Sequence, residues 1–99
     1  MTTDLDCTRL VERLAAHFAK GPMRHPVAAA VAIACRGNAA LDLRDFAIAV
    51  GVDVPSVAAC EAGDVAFGDL PAPLVADHEG LDLLALADLD ASYTSRRNA

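Results

Sequence analysis

Three histidines (His17, His25, His78) and three cysteines (Cys7, Cys35, Cys60) are the side chains of this 99-residue chain best suited to bind a metal or act as nucleophiles. The histidines lie eight and 53 residues apart on three different segments. None has the three- or four-residue spacing that aims two ligands at one ion from a helix. His17 borders an apolar stripe, His25 precedes a proline, and His78 ends a helix, where a cation is favoured. They read as structural or surface histidines. The cysteines are odd in number, widely spaced and form no C-x-x-C, which argues against a disulfide framework or a zinc module. Cys35 and Cys60 occupy apolar helical positions and are expected to be inert core thiols. Cys7, near the start of the first helix, is expected to be partly exposed. Asp82, Asp88 and Asp90 read as a solvated face. There is no nucleophile elbow, phosphate-binding glycine loop or zinc-protease motif. The chain is expected to be no enzyme and to hold no cofactor and no metal.

The elements that would position these residues are helices. Hydrophobic residues make up 55 % of the chain, but aromatics only 4 %, so the core must be aliphatic and rich in alanine. Alanine and leucine favour helix, and no stretch alternates with period two around β-branched residues. The length allows one domain, residues 1–99. A first helix is predicted over 5–20, opened by Asp4 and closed by Gly21-Pro22. Its Cys7, Leu10, Val11, Leu14 and Phe18 form one apolar stripe, with Arg9, Glu12, Arg13 and Lys20 mostly off it. That stripe is covered either by the core of the chain or by a second copy, so Leu10, Val11, Leu14 and Phe18 are candidate dimer residues. A second helix over 27–36, apolar nearly all round, is expected to be the most buried element and to stop at Gly37-Asn38. Asp42 is a plausible cap for a helix ending at Gly51, and Pro55 restarts one that runs to about Ala62. Asp69 is expected to cap a helix reaching His78. A last helix over about 81–91 should turn Leu81, Leu84 and Leu89 inward, leaving 92–99 as a flexible tail.

The stretch 43–63 has the spacing of a helix-turn-helix. Ala47 sits where two helices touch, and Gly51, four residues on, sits where the turn needs a left-handed backbone. Phe46, Val50, Val52, Val57 and Cys60 fill the apolar positions that lock the pair. Leu43-Arg44-Asp45-Phe46-Ala47-Ile48-Ala49-Val50-Gly51, continued through Ser56-Val57 and Cys60-Glu61-Ala62-Gly63, resembles the Cro/repressor-type (Xre-like) helix-turn-helix family. The resemblance covers roughly two thirds of the chain. It implies an all-α fold: a five-helix lambda-repressor-like bundle, here with an additional N-terminal helix over 5–20. It also implies that the second motif helix faces DNA.

On that face the sequence carries Asp53, Val54, Pro55, Ser56, Ala58, Ala59 and Ala62. Base edges are read mainly by Arg, Lys, Asn and Gln, and none of the four is present there. Residues 41–70 hold six acids and one base, Arg44, whereas the first forty residues hold five bases and three acids. With a formal charge of −6, indiscriminate nucleic-acid binding is disfavoured. Arg36 and Arg44 are the candidate phosphate contacts. Glu61 reads as a cap or local ion-pair partner.

The reading that follows is a small transcription-associated regulator acting through protein contacts, with a protein partner or a second copy on the acidic second helix. A second reading is a homodimeric sequence-specific DNA-binding repressor, with Arg24, Arg36, Arg44 and the Arg96-Arg97 tail on phosphates. A third is an unrelated helical adaptor or antitoxin-like partner protein. The longest apolar run, 26–35, is about half a membrane span. Asp4 and Asp6 stand where a signal peptide carries positive charge, so no membrane association and a cytoplasmic location are expected.

Overall fold

Local capping and helix-stop chemistry sets the framework of the fold. The computed structural model describes the backbone of residues 4–98 and the side chains of residues 7–94. It contains six helices and, among the described residues, no strand. They are α1 (Asp4–Ala19), α2 (Pro26–Ala39), α3 (Leu43–Val50), α4 (Val54–Glu61), α5 (Ala72–His78) and α6 (Leu83–Asn98). The expected cap at Asp4 and the Arg96-Arg97 side chains lie outside the described side chains.

Four of the helices end by one device. A residue with positive φ follows the helix, and its own N–H and that of the next residue bond back to carbonyls that the last turn leaves unpaired. Gly51 (φ 89°) ends α3, Gly63 (φ 80°) ends α4 and Gly80 (φ 73°) ends α5. The N–H groups of Val52, Asp64 and Leu81 reach Ala47, Ala59 and Ala76 at 3.0 Å each. The stop of α2 differs from the expected Gly37-Asn38: the helix runs through both, and Ala40 (φ 57°) takes the left-handed position. Beyond Ala40 the chain turns a corner into α3, whose axis lies 100° from that of α2.

Helix α2 is the hub. Nine of its residues are buried, and α1, α3, α4, α5 and α6 all pack on it. A helix whose surface is mostly alanine lets neighbours approach closely, so five elements share one slender axis. Helix α1 lies along α2, burying Cys7, Val11 and Ala15 and packing Leu14 and Phe18 against the same core. This removes most of the candidate dimer stripe: Val11 is fully buried, Leu14 and Phe18 are half-buried, and Leu10 alone is exposed, at 42 %. The chain covers its own stripe.

Three further expectations are corrected. Asp69 does not cap α5 with its side chain; its backbone carbonyl accepts from Ala72 N–H, and the helix begins at Ala72. Helix α6 starts behind Asp82, whose carboxylate accepts from Ala85 N–H at 3.1 Å. It turns Leu86 inward, with Leu81 buried just ahead of it, whereas Leu84 is 79 % exposed. Residues 92–98 belong to this helix. Tyr93 packs on the core, and the Ser92 and Thr94 hydroxyls donate to the Leu89 and Asp90 carbonyls, so the polar residues stay on the helical path.

Candidate functional site

The α3–α4 pair is built from two caps and one turn. The Asp42 carboxylate accepts from Asp45 N–H at 2.8 Å and opens α3. Residues 51–53 make the turn, and the Asp53 carboxylate accepts from Ser56 N–H at 3.2 Å to open α4. That hydrogen bonding holds the Asp53 carboxyl below the usual aspartate range. Ala47 is 1 % exposed and Phe46 fully buried, with the His78 ring edge-on to it at 6.4 Å. Val57 and Cys60 are buried on α4, and Val50 and Val52 are half-buried against the core. The seven residues expected to lock the pair are thus brought together around one turn.

The solvent face of α4 has little polarity to offer. Asp53, Val54, Pro55, Ala58 and Ala62 are exposed, and Ser56 and Ala59 are half-buried. Arg44 is exposed at the front of α3. Ile48, one turn on from Arg44, is 68 % exposed, a large apolar side chain on the same solvent face. Its position inside the run Phe46-Ala47-Ile48-Ala49-Val50 masks it as a core residue in the sequence. The four-residue step from Arg44 is the signal that distinguishes it.

Arg36, a candidate phosphate contact, is engaged within the fold. Its Nε donates to Glu61 Oε2 at 2.7 Å and its Nη2 to Glu61 Oε1 at 3.0 Å, a bidentate pair from α2 to the last residue of α4. This occupies both carboxylate oxygens and pushes the Arg36 pKa upward, so the charge is committed to holding α4 on α2. Glu61 is an ion-pair partner, although the pair spans 25 residues and is not local. Beyond α4, Met23 fills the space where a Cβ on Gly63 would stand. Beside it, a groove of about 460 Å³ opens to solvent between the end of α1, the 21–24 linker and Ala62-Asp64.

The three cysteines converge in the core. All are free and buried, including Cys7, which was expected to be partly exposed. The Cys7 and Cys35 thiols hydrogen-bond, and Cys60 Sγ donates to the Ala28 carbonyl at 3.4 Å. Burial pushes Cys60 up to about 12 and Cys35 higher still, so neither is a nucleophile at neutral pH. The histidines stay apart: His17 stacks at a tilt on Phe18, and His78 lies 3.4 Å from Glu79. Among the described residues no group of three or more His, Cys, Asp or Glu could hold a metal ion. No single described helix is long and apolar enough to cross a membrane. Compared with known protein families, curated proteins and solved structures, the chain matches none.

Proposed function

We propose that this chain is a transcription-associated regulator of the lambda-repressor-like helix-turn-helix class whose second motif helix contacts protein rather than base edges. The observation that carries the reading is the solvent face of α4, with alanines where a base-reading helix places guanidinium or amide groups. The capture of Arg36 by Glu61 adds to it, because one of two candidate phosphate contacts beside the motif is already committed. Residues 37–95 hold eleven acids against Arg44 alone, so a partner on this side is favoured if it is basic. The exposed Ile48 and Val54 supply the apolar part of such a contact.

Selection of bound sequences from a random duplex pool, at about 0.15 M salt, tests the reading. No enriched motif is expected. Recovery of a defined motif with affinity near ~10⁻⁸ M would replace it with the homodimeric repressor. The double change Ala58→Arg and Ala59→Arg separates the two further. It strengthens duplex binding if α4 already faces a groove and disrupts a partner complex if that face is a protein interface.

A further inference from the structure

Helix α1 has a second side that the α3–α4 pair does not use. Its buried residues Cys7, Val11, Leu14, Ala15 and Phe18 face α2. At 3.6 residues per turn, Arg9, Arg13, His17 and Lys20 fall within about 80° of arc on the opposite side. All four are exposed, and the stripe runs on to exposed Arg24 in the linker. From Arg9 to Lys20 it extends about 16 Å along the helix axis. Arg9, Arg13 and Lys20 make no ion pair among the described residues. The charge distribution of the chain makes this unusual: residues 1–36 hold five of the eight bases, while 37–95 hold eleven of the fourteen acids.

We infer that the solvent face of α1 is a ridge that contacts the phosphate backbone of double-stranded DNA without reading sequence. Two of the three cations that make no ion pair among the described residues are arginines, whose planar forks suit phosphate oxygens. The ridge is a straight, helix-mounted row of charge, which matches the regular charge lattice of a duplex. Single-stranded nucleic acid is a poorer occupant, since none of the Phe or Tyr residues is exposed for bases to stack on. The acids do not cancel the ridge. Glu12 lies beside Arg9 and Arg13, about 60° of arc to one side of Arg9. Asp88 lies across the groove toward α6, and Asp64 lines the groove shared with His17 and Arg24. These acids border the row and lower its net charge without lying between its cations. At a Debye length of about 8 Å in physiological salt, more distant carboxylates on the α3–α6 side are largely screened. The ridge does not depend on how α4 is used. A regulator held on DNA by α1 would leave α4 free for a protein.

The test measures binding of the full chain to a fluorescent duplex of arbitrary sequence across a salt series. Three phosphate contacts give a log–log slope of about −2.7, so affinity falls about 40-fold between about 0.05 and about 0.2 M salt. Arg9→Gln with Arg13→Gln should flatten the slope to about −0.9 and leave the thermal midpoint unchanged, because both side chains are exposed. Glu12→Gln should tighten binding several-fold. Single-stranded DNA and polyglutamate, run in parallel, should bind more weakly than the duplex. The inference is overturned by no duplex binding at the lowest salt, by a slope unchanged in the double variant, or by polyglutamate binding in preference to the duplex. An enriched motif in the selection experiment bears only on α4, so the two readings fail separately.

Discussion

At the scale of single residues, the buried thiols and the caps make the sharpest statements. Cys35 and Cys60 are fully buried, and their thiols are pushed far above the ordinary cysteine range. A small thiol reagent should therefore label them only as fast as the chain unfolds. Raising the pH from about 7 to about 9, which speeds labelling of an ordinary thiol, should leave their rates unchanged apart from any effect on unfolding. Labelling followed by mass spectrometry, with and without denaturant, checks this. Asp53 makes a pH statement with a definite sign. Its carboxyl is lowered in the fold, chiefly by hydrogen bonding with Ser56, so its contribution is fully present above the unfolded value of about 3.9. That contribution disappears as pH falls through the lower folded value. Asp53→Ala should therefore be less stable than the parent at neutral pH, with the gap narrowing in acid; denaturant titrations at several pH values measure it.

At the scale of elements, the geometry of α3 and α4 rests on one small residue and one left-handed one. Ala47 is 1 % exposed within the core, and Ala47→Leu should cost roughly 1–3 kcal/mol by overpacking. Gly51 has φ 89° with open space around it, so Gly51→Val meets no clash, only backbone strain of about 1–2 kcal/mol. If neither lowers the thermal midpoint, the account of this turn is wrong. Ala40 offers the reverse experiment. It holds a left-handed conformation (φ 57°) with an L side chain, so Ala40→Gly should stabilise the protein by about 1 kcal/mol, less the extra unfolded-state entropy of glycine. Chemical denaturation of the pair of proteins gives the answer directly.

At the scale of the whole molecule, α1 is structural on one side and charged on the other. Its apolar side supplies Cys7, Val11 and Ala15 to the core built around α2. Removing residues 1–22 would expose the alanine-rich flank of α2 and leave a chain near the size where a single core is marginal. The truncated protein should lose its cooperative thermal transition, followed by circular dichroism. A truncated protein that melts as sharply as the full chain would show that α1 is an accessory rather than part of the fold. The same experiment bears on the dimer stripe, because a helix needed to complete its own core has little apolar surface left for a second copy.

Much of the framework was legible in the sequence because it is decided within a few residues of chain. Asp42 and Asp53 cap, and Gly51 and Gly63 stop helices, through bonds that span three to five positions. The burial of α2 follows from its composition, and the poverty of donors on α4 is a matter of residue types alone. What the tertiary structure decided depends on residues far apart in the chain. Arg36 reads as a free cation until α4 brings Glu61 to it, and Cys7 reads as partly exposed until α1 lies along α2. The inward leucine of α6 is Leu86 rather than Leu84, because the phase of a leucine-rich helix is set by the surface it meets. Local geometry fixes where helices begin and turn; only their packing determines which charges are paired, which apolar faces are covered and which surfaces remain to bind.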